Sequence, residues 1–435
     1  MKIIKSCLYV CFVWISVITT SDLQVAIQAQ QTQKIPIGIV YVGKKNSAGK
    51  GIIERLQKDI QYSGQCQVAV RYVSSIKKTS ELKKLFSDEV NLAIFISSED
   101  SQYVWRLYDL LMIDMIQAGK VAKKNQSNQL IAHRLADQVW PALMGTQGSF
   151  CSKVAYCKQI WKRKFNHEKP YKQIWIADFD GSNPKLFIDI PTVSLAPRWG
   201  NNESCPLLFY SENTLSNVQL VMSNMFHKRQ VMCCFDGLNM QPTFSADGKE
   251  VVFCLSKDGS SQLYHSYVDA LSKKRKCERL THNDGNNIAP CFIDQDHVAF
   301  VCDAQTRRPQ IYIMNIATRS MKKITDGGYC ACPAYCPINN KLAYSKMVDG
   351  AMQLFEYNCS TRYHRQLTQG YGSKEEPSWS ACGNYIIFGM NEGLQSRIAQ
   401  LNILTGKMRY ITPSGDHCTY PSCSPVYQEH IGILA

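Results

Sequence analysis

The feature that most restricts this chain is a period of about 44 residues running through its C-terminal two thirds. Pro197, Pro242, Pro290, Pro333, Pro377 and Pro421 each open a short phrase, Pro-x-aromatic-Ser or a worn version of it, and stand 43 to 48 residues apart. A second phrase, Gln followed by an aliphatic residue, begins at Gln173, Gln219, Gln262, Gln310 and Gln353, with Arg397 in the sixth place. A third joins an aliphatic residue to Thr281, Thr325, Thr368 and Thr412, each with a glycine close behind. Helical repeats of this length need long 3.6-residue periodicities, which are lacking. Short β runs between turn residues fit a four-stranded propeller blade. Strand phrases beginning at Lys153, Leu207, Val251, Val298, Lys341 and Tyr385 make six blades. The first has no Pro phrase before it, and the last Pro phrase has no full blade after it. Circular closure follows: the C-terminal strand at Pro421 completes the blade begun at Lys153, leaving no sheet edge open. One column of the blade alignment, Cys157, Ser211, Cys254, Val301, Ser345 and Gly389, is small throughout, as a crowded position near the axis requires.

Residues 35–148 alternate strand and helix signals instead. The run 37–42 reads as a buried strand, and Ile52, Ile53, Leu56 and Ile60 share one helix face. Residues 67–73, 92–96 and 103–112 are strand-like. Ile131, Leu135, Val139 and Leu143 recur every four residues, on a helix that Pro141 would loosen and Gly145 would end. The expected fold is an N-terminal α/β domain followed by a six-bladed β-propeller closed by the C-terminal strand.

The start of the chain points to export. Lys2 and Lys5 precede an apolar stretch, 7–18, that is too short to span a bilayer comfortably and ends in small residues. We read 1–21 as a signal peptide, 22–34 as a partner-binding strand and tether, 35–148 as the α/β domain and 149–435 as the propeller. In an extended 22–34 segment Leu23, Val25 and Ile27 point one way, a pattern suited to strand addition. No run of the sequence reaches the length of a spanning helix, which excludes a polytopic membrane protein. The formal charge of +14 would admit nucleic acid, but export argues against it, and the basic run 273–276 reads as a solvated loop.

Catalytic motifs are scarce. The 43–51 stretch fails as a phosphate loop: its glycine spacing is one residue too long, and Gly51 stands where Ser or Thr would meet magnesium. There is no GxSxG, HExxH or GxGxxG, and of the histidines only His417, just before Pro421, is singled out by its position. Cys330, Cys332 and Cys336 lack a second ligand cluster at zinc distance, so neither metal nor cofactor is expected. With the signal peptide removed the cysteine count is odd, leaving at least one thiol free or paired with another molecule. The competing class, a hydrolase or lactonase with a metal in the central channel, would have to draw on Glu375, Glu376 and His417.

The stretches 22–27 and 36–40, the 135–139 and 145–150 phrases, and the blade phrases 178–181 and 242–249, in that order, resemble the TolB family of periplasmic propeller proteins of the Tol–Pal envelope system. The resemblance implies a non-enzymatic adaptor in the periplasm. It implies binding of a Pal-like peptidoglycan-associated lipoprotein at the propeller rim and of TolA through the N-terminal segment, with other outer-membrane proteins as further partners. It places the Pal-binding rim at Leu238, Asn239, Met240, Gln241, Asn287, Ile288, Ala289 and His417, and the TolA-binding residues at Asp22, Leu23, Val25 and Ile27. The rim segments 194–196, 238–241, 286–289, 329–332, 374–376 and 417–420 are expected to be loops around the channel mouth. Leu238 and Ile288 depart from the family, where His and Thr are common.

Overall fold

The computed structural model describes residues 34–426, apart from 45, 77–78, 87–88, 124–125, 165–166, 191–192, 201–205, 215–216 and 272–276. The expected signal peptide, the tether with Asp22, Leu23, Val25 and Ile27, and the 273–276 run lie outside the described residues. No helix among those described is long and apolar enough to cross a membrane.

In the N-terminal domain β1 (Ile35–Val42) runs parallel to β2 (Cys66–Val73) on one side and to β3 (Leu92–Glu99) on the other. β4 (Gln102–Asp109) and β5 (Asp114–Ala122) extend the sheet antiparallel beyond β3. α1 (Ser47–Tyr62) and α2 (Asn128–Met144) pack on one face, where Ile52, Ile53, Leu56, Leu135 and Val139 meet Ile37, Ile39 and Trp105. Val40, Ala93 and Phe95 fill the opposite face with Phe86 and Leu110. Burial on both faces is why β1 reads as a continuous apolar run. The failed phosphate loop is a helix start: the Asn46 side chain accepts from the Gly49 N–H at 2.6 Å. Gly49 is there because a Cβ would strike the Tyr41 ring. Pro141 lies within α2, and Gly145 ends the helix in the left-handed conformation (φ 68°) with its N–H on the Pro141 carbonyl.

One expectation fails here. The strand read as 103–112 stops at Asp109, whose Oδ1 accepts from the N–H groups of Leu111 and Met112 and turns the chain. The separate strand β5 follows. It gave no sequence signal because it is an edge strand exposed over most of its length, so nothing imposes apolar alternation on it.

The remainder is six four-stranded blades. The innermost strands are Val193–Trp199, Asn239–Phe244, Asn287–Phe292, Cys330–Cys336, Ser373–Trp379 and His417–Cys423, in blades 2 to 6 and then blade 1. His417–Cys423 pairs antiparallel with Lys153–Lys164, so the C-terminal strand closes the ring as expected, beginning four residues before Pro421. A single parallel pair, Lys172 with Val193, links blades 1 and 2 at their edge.

The three repeated phrases are parts of one hydrogen-bonding unit. The residue after the phrase Pro is a side-chain acceptor for the next blade. Thr243 Oγ1 takes the Phe292 N–H (3.2 Å), Cys291 Sγ that of Tyr335 (3.1 Å), Ser378 Oγ that of Cys423 (3.0 Å) and Ser422 Oγ that of Trp199 (3.3 Å). The Thr of the third phrase accepts from the backbone of the third strand: Thr281 from Leu263, Thr325 from Ile311, Thr368 from Leu354 and Thr412 from Ile398. Thr325 and Thr368 donate in turn to the Gln310 and Gln353 side chains, whose amides hold the Gly328 and Gly370 carbonyls. The small column lies on the second strands and is buried in every blade.

The α/β domain docks on blades 1 and 6, at the ends where innermost strands finish. Asp180 follows the third strand of blade 1, and Cys382 follows the innermost strand of blade 6. Arg55 pairs with Asp59 (3.0 Å) and Asp180. His133 Nδ1 meets Asp59 at 2.8 Å while its Nε2 faces Asp178, itself paired with Lys153. Tyr62, Phe179 and Tyr385 form an aromatic triangle with centroids 5.4 to 6.2 Å apart. The two junction phrases interlock: Asp137 accepts from the Phe150 and Cys151 N–H groups (2.9 and 2.8 Å), and only glycine fits at 148, where a Cβ would collide with that carboxylate.

Candidate interaction surface at the propeller rim

The six segments expected as loops are the opening residues of the innermost strands, lying at the end of the propeller opposite the α/β domain. They look like loops in the sequence because each phrase Pro interrupts strand character. In the fold the residue before each Pro takes a left-handed φ: Ala196 (52°), Gln241 (54°), Ala289 (51°), Cys332 (54°), Glu376 (57°) and Tyr420 (55°). The ladder slips at each of these points, so every innermost strand carries a bulge near the axis.

The rim residues separate into two kinds. Leu238 is 39% exposed, held by its N–H to Ser256 Oγ (2.9 Å). Met240, Gln241, Ile288, Ala289 and His417 are half-buried. Asn239 and Asn287 are both 0% exposed and spend their side chains on the backbone and on neighbouring amides. Asn239 donates to the Val218 and Phe235 carbonyls (both 2.7 Å) and accepts from the Phe235 N–H. Asn287 donates to Gln262 Oε1 and Asn283 Oδ1. These two asparagines hold the rim up and present no side chain to a partner. Gln241 Oε1 accepts from the Ala289 N–H at 2.9 Å, so the 238–241 and 287–289 segments form one patch across blades 3 and 4. Ile288 packs into the cores on both of its sides. His417 belongs to blade 1, away from that patch.

Sequence reasoning named Glu375 and Glu376 at the rim and missed the cations beside them, Arg198 and Lys172. Glu376 is half-buried, and its desolvation pushes its carboxyl up to about 7 although the Tyr420 N–H (2.7 Å), Arg198 and Lys172 favour the charged form. Burial also raises Glu375, whose carboxylate accepts from Asn391. Lys172 reaches Thr419 Oγ1 (3.2 Å) and lies over the Tyr420 ring. Their clue was position: Arg198 and Glu376 each flank a phrase Pro. Burial raises the Cys157 and Cys332 thiols to about 12, the setting of inert, packed cysteines. All sixteen described cysteines are free. Among the described residues no three His, Cys, Asp or Glu side chains converge to hold a metal ion. The Cys330, Cys332 and Cys336 triple is spread along one innermost strand, with Cys330 and Cys336 buried.

Comparison with known proteins bears on this architecture. The family described as PD40, the TolB beta propeller domain, matches residues 140–330 and 293–432. The chain belongs to the TolB family. A curated relative from Francisella tularensis subsp. tularensis, named Tol-Pal system protein TolB, is 24% identical over 95% of this chain and 87% of its own length. One of the same name from Ruthia magnifica is 29% identical over 60% of this chain; the match spans only 61% of that relative. The crystal structure of TolB from Acinetobacter baumannii superposes with a TM-score of 0.74 at 20% identity, covering 90% of this chain and 97% of that one, which shows the same two-part fold.

Proposed function

We propose that this chain is the periplasmic adaptor of a Tol–Pal envelope system and is not an enzyme. Its propeller rim binds a Pal-like peptidoglycan-associated lipoprotein, and residues 22–33 bind TolA by strand addition through Leu23, Val25 and Ile27. In that role it supports outer-membrane integrity and constriction during division. The observation that carries the reading is the placement of the rim. Six bulged strand ends surround one channel mouth, the chain's own α/β domain docks on the opposite end, and Leu238, Met240 and Gln241 lie at that mouth beside Ile288 and Ala289. A concave ring with a few exposed apolar residues and satisfied polar groups beneath suits protein docking better than turnover. The buried Asn239 and Asn287 serve as its supports.

The test is calorimetric titration of the mature chain with the Pal-like lipoprotein domain of the same cell, and separately with the C-terminal domain of TolA. Leu238→Asp, at an exposed position, should weaken lipoprotein binding by about tenfold or more without lowering Tm. Deletion of 22–33 should abolish TolA binding and leave the melting curve intact. Unchanged binding in either case would remove the corresponding half of the reading.

A further inference from the structure

In blades 3 and 4 the residue three places before the phrase Pro is a buried asparagine, Asn239 or Asn287. In blade 6 that place belongs to Lys374, which is only 1% exposed. Its ammonium donates to the carbonyls of Gly370, Tyr371 and Gly372 at 2.8 to 2.9 Å, and the Gln369 carbonyl lies at 3.5 Å. Burying a lysine is costly unless its donors are satisfied, and here all of them are directed at one turn. The Gln353 amide also donates to Gly370 (2.8 Å), and Ser373 Oγ takes the Met352 N–H (3.1 Å), so the turn is fastened to blade 5 as well.

The residue this grip presents is Tyr371, between Gly370 (φ 87°) and Gly372 (φ 79°), both left-handed. Tyr371 is 78% exposed, the most exposed aromatic side chain among the described residues. A Cβ at Gly393 would stand 3.7 Å from its hydroxyl, so the ring lies against the hairpin turn that carries Leu394, itself 93% exposed. On the blade 5 side Tyr329, 43% exposed, takes the N–H of exposed Met347 on its carbonyl at 2.8 Å. All four side chains stand at strand ends on the rim side. A stable protein interface covers about 800 Å² on each partner, roughly 20 to 30 residues. The patch made by 238–241 and 287–289 is much smaller, so a partner seated on it must extend over neighbouring blades. Blade 5, beside blade 4, opens with Tyr329, and the exposed apolar surface continues from there to Tyr371 and Leu394 on blade 6.

We propose that Tyr371, with Tyr329 beside it, is an aromatic anchor of the rim, received in an apolar recess of the protein that docks at blades 3 and 4, and that Lys374 is the positioning residue that presents it. This rests on the rim-docking reading above and extends the footprint across the mouth to blade 6. A turn already fixed before contact loses little freedom on binding, and a rigid aromatic side chain adds contact area at low entropic cost.

The experiment compares the mature parent chain with Tyr371→Ala, Lys374→Met and the Y371A/K374M double variant. Each is titrated calorimetrically with the Pal-like lipoprotein domain, and the melting curves report folding. Y371A should bind about tenfold or more weaker with Tm unchanged. K374M should bind about threefold or more weaker in the parent background and add nothing in the Y371A background, because a loosened turn matters only while it carries the ring. A K374M effect equal in both backgrounds, or absent from both, would overturn the positioning role. Parent-like binding by a folded Y371A chain would overturn the anchor and leave the rim reading standing. Failure of the parent to bind at all would overturn the rim reading and the anchor with it. Phosphatidylglycerol vesicles provide a further readout. Tyr371-dependent vesicle binding with an unchanged lipoprotein titration would assign the residue to a membrane surface and overturn the proposal.

Discussion

At the scale of single residues, the left-handed position before each phrase Pro is the most informative. A residue before proline is ordinarily pushed toward extended backbone, and a non-glycine residue in the left-handed region is strained. All six blades hold that conformation, and at two of them the bulge residue's side chain ties it to the next blade. Gln241 and Glu376 take the N–H of the corresponding residue one blade on, Ala289 and Tyr420. The desolvation of half-buried Glu376 has a testable consequence. Its carboxyl is raised from 4.5 to about 7, so the folded state holds the proton more tightly than the unfolded chain does. Its contribution is fully present below pH 4.5 and is lost as pH rises through 7. Glu376→Gln keeps the acceptor for the Tyr420 N–H and removes the titration. Its stability should match the parent's at pH 4 and exceed it at pH 8 by on the order of 3 kcal/mol, read from denaturant melts. Parallel curves across that range would show that the carboxyl does not titrate this way.

At the scale of elements, the repeat was legible because each phrase performs the same local task in several blades. The Thr and Gln phrases fasten the third strand to the turn leading into the next blade, and the Pro phrase fastens one blade to the next. Blade 1 is closed by the last described strand. Ser422 and Cys423 bond to blades 2 and 6, and Ser424 exchanges hydrogen bonds with Lys153. Removing residues from 417 onward should open the inner edge of Lys153–Lys164 and leave blade 1 without its innermost strand. The truncated chain should lose its single cooperative unfolding transition and self-associate in size-exclusion chromatography. A monomer with parent-like melting would show that five and three-quarter blades suffice. β5 is the counterexample among elements: an edge strand under no burial constraint leaves no periodicity to read.

At the scale of the whole molecule, the domain interface depends on a buried charge network that links α1, α2 and blade 1. Burial by itself would lower His133, but its hydrogen bonds to Asp178 and Asp59 outweigh that and raise it to about 9. Asp178 is held well below the ordinary carboxylate range: His133 and Lys153 more than offset its burial. The His133 contribution is complete below pH 6.5 and is lost as pH rises through 9; that of Asp178 is complete above 3.8 and is lost as pH falls. The junction should therefore be firmest near pH 4 to 6.5. Amide exchange in α1 and α2 should quicken between pH 7 and 10 beyond its intrinsic pH dependence, and His133→Gln should flatten that excess. An excess that persists in the variant would mean that another group governs the docking.

The blade number, the circular closure and the α/β domain in front followed from patterns between residues a fixed distance apart, which local geometry repeats and a linear sequence therefore records. Tertiary structure alone decided the rest. It buried Asn239 and Asn287 beneath the rim, joined segments 238–241 and 287–289 into one patch, brought Glu376 to Arg198, and set His133 between Asp59 and Asp178. The charged contacts among them, His133 with Asp178 and Glu376 beside Arg198, link residues tens to hundreds of positions apart and belong to no repeated phrase. A contact made once leaves no period in a sequence; it exists only after the chain has brought its distant parts together.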